Sequence, residues 1–223
     1  PPVVTTSLEA TSYFDGQEVP IDLNLGLVDP DNAGEGAIKS ATIQITGNYR
    51  PGEDMLSALT WDPVTVNFDA ATGTLTITEN GQPIRTEQWR QIIANVRYNN
   101  SSDAPATDPR TVTIKVSDGI DISAPATKTI TITPVNDAPM VDLDSTTAGV
   151  NAYKLYTERA PAMAIMPDAV VSDADSASFA GGTLRLQRIS GPGFGSADDL
   201  LAIQNQGPAA GQTGVSGSTV TYG

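Results

Sequence analysis

Short runs in which every second residue is apolar, each ended by a cluster of turn-forming residues, constrain this chain more than any other feature. Ile43 and Ile45 alternate with Thr42 and Gln44, Val64, Val66 and Phe68 with Thr65 and Asn67, and Leu75 and Ile77 with Thr74 and Thr76. Farther on, Val112, Ile114 and Val116 alternate with Thr111, Thr113 and Lys115, and Ile130 and Ile132 with Thr129, Thr131 and Thr133. Successive side chains of a strand point to opposite faces, so a period of two predicts half-buried strands. The period changes once: Trp89, Ile92, Ile93 and Val96 stand at helical spacing behind Thr86, predicting a short helix from Thr86 to Ala94, capped by Thr86, with Trp89 as a core plug. About seven strands in roughly 135 residues, with no helix long enough for a parallel crossover, predict an all-β fold, an antiparallel β-sandwich, and exclude a doubly wound sheet.

The alternation breaks at Thr133-Pro134-Val135-Asn136-Asp137-Ala138-Pro139, where two prolines and two turn formers read as a short stiff connector. A domain boundary is placed there, giving residues 1–138 and residues 139–223. The second part repeats the first in register. Pro2-Val3-Val4 matches Pro139-Met140-Val141, Tyr13-Phe14-Asp15 matches Tyr156-Thr157-Glu158, and Val28-Asp29-Pro30-Asp31 matches Ser172-Asp173-Ala174-Asp175. Ala41-Thr42-Ile43-Gln44-Ile45 then matches Gly182-Thr183-Leu184-Arg185-Leu186, Asp54-Met55-Leu56 matches Asp199-Leu200-Leu201, and Thr74-Leu75-Thr76-Ile77 matches Thr219-Val220-Thr221-Tyr222. Nothing in the second copy corresponds to the first copy beyond about residue 80. The expectation is therefore two tandem domains, the second incomplete, truncated or interrupted, in a segment excised from a longer protein.

Charge and composition remove whole classes of function. With 26 acidic against 12 basic residues, a net charge of -14, the chain would be repelled by nucleic acid and by anionic membrane surfaces. Its apolar runs are too short for direct membrane insertion. No cysteine and no histidine are present, which excludes Ser-His-Asp and Cys-His catalysis, disulfides and the usual zinc ligands. Acid pairs can hydrolyse glycosides without either residue, but here they fall in turns and no aromatic-lined cleft accompanies them. No enzymatic activity is expected.

The same acids suit divalent cations where they cluster. In an extended segment side chains two apart lie on one side, so Asp29 with Asp31, and Asp173 with Asp175, each present two convergent carboxylates. Asp-Pro-Asp-Asn is also an ordinary turn sequence. A turn alone would accept Asn, Gly or Ser, whereas the second copy keeps both acids while its surroundings change. Calcium, Ca2+, is the expected ion, because it takes six to eight oxygens in loose geometry while zinc prefers nitrogen or sulfur.

Val135-Asn136-Asp137-Ala138-Pro139, Asp173-Ala174-Asp175 and Val116-Ser117-Asp118-Gly119, together with the stretch from Val96 to Gly119, resemble the cadherin-like tandem repeats of large bacterial surface adhesins, RTX-type adhesins among them. The resemblance covers the first repeat and the second as far as it runs. It implies a cadherin/Ig-like sandwich and calcium held between neighbouring repeats of the same chain. Carried over residue by residue, the ligands at the connector are Asn136, Asp137, Asp173 and Asp175, with Asp15 from the first domain and Glu87 in reserve. Asp29, Asp31 and Asp118 form the equivalent half-site at the amino end. The connector reads Asp-Ala where animal cadherins have Asp-Asn, so homophilic adhesion is not implied.

The function expected is a calcium-rigidified spacer, or extender, of an extracellular adhesin on the bacterial cell surface, its outer partner a cell-surface or matrix ligand. The alternatives are a carbohydrate- or peptide-binding module, for which exposed aromatics beyond Trp61 and Trp89 would be needed, and an accessory domain of a secreted polysaccharide-degrading enzyme. Asn99-Asn100-Ser101-Ser102 satisfies the glycosylation sequon twice and is read as a polar loop. Gly191-Pro192-Gly193-Phe194-Gly195 is read as a turn, not a phosphate loop, because no strand-then-helix context surrounds it.

Overall fold

A computed structural model describes residues 1–31, 38–59, 63–179, 181–187, 200–207, 209–210, 212–217 and 219–222. Trp61, the glycine-rich turn at 191–195 and Asp199 lie outside the described residues. The chain divides into two units, Pro1–Ala138 and Pro139–Gly223, and its regular structure is almost entirely β. Among the described residues no helix is long and apolar enough to cross a membrane.

The first unit carries β1 (Val3–Thr5), β2 (Thr11–Phe14), β3 (Val19–Pro20), β4 (Gly26–Val28), β5 (Ser40–Gly47), β6 (Asp54–Ser57), β7 (Val64–Asp69), β8 (Thr74–Glu79), α1 (Thr86–Ala94), β9 (Arg97–Asn100), β10 (Arg110–Ser117) and β11 (Ala126–Thr133). Six strands form one sheet in the order β2-β11-β10-β5-β8-β7, three form another as β3-β9-β6, and β1 pairs with β4 alone. The alternation seen in the sequence sorts as expected: Ile43, Ile45, Leu75, Ile77, Ile114 and Ile130 are buried, and the threonines between them are not. One core gathers these with Leu56 and Tyr98 of the three-stranded sheet, Leu27 of β4 and Trp89 of α1. Each buried Ile or Leu contributes about 1.5–3 kcal/mol relative to exposure.

Three local expectations change. The sheet is not wholly antiparallel, because β2 runs parallel to β11, with Thr11 opposite Ile130 and Phe14 opposite Thr133. The reason is that the first extended segment changes partner: β1 pairs antiparallel with β4, and the chain is redirected at Thr6 to Glu9 before β2 begins. That crossing is pinned by Asp22, which accepts Ser7 N at 2.7 Å and Ser7 Oγ at 2.8 Å, and by Lys128, whose Nζ donates to Glu9 O at 2.6 Å. Thr86 does not cap α1; Arg85 holds the cap position and its amide donates to Gln88 Oε1 at 3.2 Å. Finally, Asn99 and Asn100 close β9 instead of lying in a loop, and Asn100 is buried.

Two buried charges break the alternation. Arg110 opens β10 on the inward face, and its Nε donates to Asp54 Oδ2 at 2.8 Å, with both side chains fully buried. Asp54 also accepts Tyr98 Oη and Asn100 Nδ2, each at 2.6 Å, and Arg50 N at 2.8 Å, so its oxygens are satisfied. Burial and the adjacent Asp54 carboxylate push the Tyr98 hydroxyl far above its usual range. Lys128, facing inward on β11, lies 3.7 Å from Asp22.

The second unit holds β12 (Met140–Asp142), β13 (Val170–Ser172), β14 (Thr213–Ser216) and β15 (Thr219–Tyr222), in two separate antiparallel ladders. The first ladder reproduces β1–β4 in register: Val4 faces Leu27 as Val141 faces Val171, and Val3 faces Val28 as Met140 faces Ser172. The β14–β15 hairpin ends in the segment matched to β8. The counterparts of β2 and β5, around Tyr156 and Leu184, form no strand, and no described residue of this unit is buried.

Candidate metal centre

At the amino end of the first unit, the β1–β4 ladder sets Val28 opposite Val3, so Asp29 follows beside Pro1. Asp29 is buried, and its Oδ1 accepts the Asp31 amide at 3.2 Å, which folds the two acids into one turn. Asp118 enters from the end of β10. Its Oδ1 accepts the amides of Asp121 at 2.6 Å and Ile120 at 2.7 Å, a tight turn in which Gly119 takes φ +91. Those two amides, Asp121 first, hold the Asp118 carboxyl below the usual range.

Asp121 was not singled out in the sequence; its signal was the acid three residues after Asp118 across the Gly119 turn.

At the other end of the same unit, parallel pairing of β2 with β11 brings Asp15 to the point where the connector departs, its amide donating to Thr133 O at 3.1 Å. Half-buried Asp15 and exposed Glu18 line a cavity of about 300 Å3 together with Asn99 to Asp103. Asn136 and Asp137 are exposed on the connector, and Asn136 Nδ2 donates to Asp137 O at 2.6 Å. Glu87 is committed elsewhere: Arg90 grips it through two bonds of 2.7 and 2.8 Å, which lowers its carboxyl pKa.

In the second unit Asp173 and Asp175 follow β13 as Asp29 and Asp31 follow β4. Asp173 Oδ1 accepts Ser176 N at 2.9 Å and Asp175 N at 3.3 Å, so the same backbone turn recurs. The Asp173 carboxyl is held below its usual range, first by a hydrogen bond shared with the Asp175 side chain, then by the Ser176 and Asp175 amides.

Every donor named is a hard oxygen, which fits calcium and not zinc. Among the described residues, no group of three or more acidic side chains is drawn together at metal-binding spacing. Set against protein-family models and against curated proteins, the chain matches none.

Proposed function

We propose that this chain is a calcium-binding, calcium-rigidified spacer of a large bacterial surface adhesin, built from two tandem cadherin-like β-sandwiches and working outside the cell. The observation that carries this reading is the recurrence of one carboxylate turn. Asp29 and Asp173 each follow a ladder of the same register, and each accepts the amide of the second acid, Asp31 or Asp175. The turn itself uses the carboxylates of Asp29 and Asp173 and requires no second acid at 31 or 175.

Calcium acts by gathering oxygens. At the connector, Asn136, Asp137 and Asp15 would bind together with Asp173 and Asp175, and the ion would remove hinge freedom that the prolines restrict only in part. At the amino end, Asp29, Asp31 and Asp118, with Asp121, would receive an ion in the same way from a preceding repeat. Extracellular modules bind calcium at about 10⁻⁴ to 10⁻³ M, so such a rod is loose in cytosol and stiffens after export. The cavity beside Asp15 has no aromatic ring in its lining, so a carbohydrate-binding reading finds no stacking platform there.

The test is thermal melting in excess calcium and in chelator. Calcium at a hundred times its Kd adds about 2.7 kcal/mol, a shift on the order of 5–10 °C for a domain of this size. The double variant Asp173→Asn with Asp175→Asn is expected to lose the part of the shift that belongs to the connector. A melting curve indifferent to calcium in the parent chain overturns the reading.

A further inference from the structure

The pair Asn80-Gly81 follows the end of β8 and begins the connection to α1, away from the acids of the ion sites. Among all the asparagines of the chain, Asn80 alone is followed by glycine. That neighbour sets the chemistry open to the side chain. The backbone nitrogen of the next residue can close on an asparagine Cγ only if its own residue turns freely, and glycine, with no Cβ, turns most freely of all.

The local structure leaves room for that turn. Asn80 and Gly81 are both exposed. Gly81 takes φ +92, and among the described residues no atom lies within 4 Å of where a Cβ would stand. The bend is anchored at its ends: the Asn80 amide donates to Pro63 O at 2.9 Å, and Ile84 is buried. Gly81, Gln82 and Pro83, which lie between, are exposed and belong to no helix or strand. Other asparagines stand in more restrictive places. Asn48 Nδ2 donates to Pro109 O at 2.8 Å, Asn95 Nδ2 donates to Gln91 O at 2.8 Å ahead of buried Val96, and buried Asn100 is tied to Asp54 from within β9.

We propose that Asn80 is a site of spontaneous covalent modification, deamidation through a cyclic imide. The Gly81 nitrogen attacks Asn80 Cγ and the new C–N bond closes a five-membered ring. The side-chain nitrogen leaves as ammonia, carrying the proton that Gly81 gives up. Water then opens the ring at either of its two carbonyls, so position 80 becomes an aspartyl or an isoaspartyl residue, and no oxidant or reductant is consumed. Both products place a negative charge next to Glu79, whose Oε1 is held by Lys39 and whose Oε2 is buried with no hydrogen-bond partner among the described residues. The isoaspartyl form also lengthens the backbone by a methylene ahead of α1, whose Trp89 and Ile93 belong to the core. Conversion therefore weakens the docking of α1, and because it runs one way it records the age of the protein.

Calcium plays no part in this chemistry, and the test is run in its excess so that ion binding stays constant. The 223-residue chain is aged for weeks at physiological temperature and pH, then mapped by mass spectrometry and assayed for isoaspartyl residues by enzymatic methylation. A gain of about 1 Da is expected at position 80, at a rate at least about tenfold above that of any other asparagine. Isoaspartyl content should rise with it, both should quicken at higher pH, and the Tm of the aged chain should fall. Asn80→Gln, which can close only a larger ring, should show neither the mass gain nor the fall in Tm on ageing. An Asn80 that stays intact in the folded chain while a free peptide of residues 76–85 deamidates would overturn the proposal. So would loss spread evenly over the asparagines, or an equal fall in Tm in aged Asn80→Gln.

Discussion

Arg110 and Asp54 are bound Nε to Oδ2 at 2.8 Å inside the first unit, and neither side chain reaches water. Arg110 Nη1 donates to the Ala106 and Asp108 carbonyls, while Nη2 has no partner among the described residues. A pair so enclosed is a stronger constraint on folding than a contributor to stability, because desolvation offsets most of the attraction. Arg110→Met strands a buried carboxylate and is expected to cost about 3–5 kcal/mol in urea denaturation. Asp54→Asn combined with Arg110→Met removes the stranded charge while Oδ1 still accepts Tyr98 Oη and Asn100 Nδ2, and should recover part of that loss. A double variant no more stable than the single one would show that the charges themselves are required.

Acid titration should act through Asp118. Its carboxyl is held below the unfolded value by the amides of Asp121 and Ile120, so its contribution is present above about pH 4, the unfolded carboxylate value, and is lost as pH falls through the lower folded value. Melting temperature followed from pH 6 to pH 2 should therefore drop in the acid range, and Asp118→Asn should flatten part of that drop. Equal acid sensitivity in parent and variant would remove Asp118 from the account.

Calcium binding should distinguish acids that look alike locally. Asp69 has a lowered carboxyl pKa from Thr72 and Ala71 in the β7–β8 turn, as Asp173 has from its own turn. Only Asp173 has a second acid beside it. In titration calorimetry Asp175→Asn is expected to weaken calcium binding by about tenfold or more, since affinity follows ligand charge. Asp69→Asn should leave affinity unchanged and lower stability slightly through weakened turn hydrogen bonds.

Gly73 should tolerate no side chain. It takes φ +66, and a Cβ there would meet the Tyr49 ring at 2.8 Å, while Tyr49 Oη donates to Ala70 O at 2.6 Å. Gly73→Ala is expected to cost at least about 1–2 kcal/mol from backbone conformation alone. Combining it with Tyr49→Ala should relieve the steric part in a double-mutant cycle. Additive losses would mean that the ring moves aside freely.

The parts of the fold legible in the sequence were those set by local periodicity. β5, β7, β8, β10, β11 and α1 fall where Ile43, Val66, Leu75, Ile114, Ile130 and Trp89 recur at their proper spacing. Arg110 and Lys128 were not legible as buried residues, because the partners that make their burial tolerable, Asp54 and Asp22, are far away in sequence. The parallel β2–β11 pair was hidden for a similar reason: it depends on a partner change at Ser7, which has no periodic signature. At the site, the turns of Asp29 and Asp173 were readable from spacing, whereas Asp121 entered through the tertiary position of the β10 end.

Parallel pairing of β2 with β11 also sets how the first unit would bear tension. A pull applied at Pro1 draws β2 toward the amino end, and a pull at Thr133 draws β11 the opposite way, so the two slide lengthwise against each other. The pairs from Thr11–Ile130 to Phe14–Thr133 are then loaded in shear together and not peeled apart in succession. A rod strung from such modules would yield abruptly, at forces where a hairpin pulled from its open end would already have unzipped.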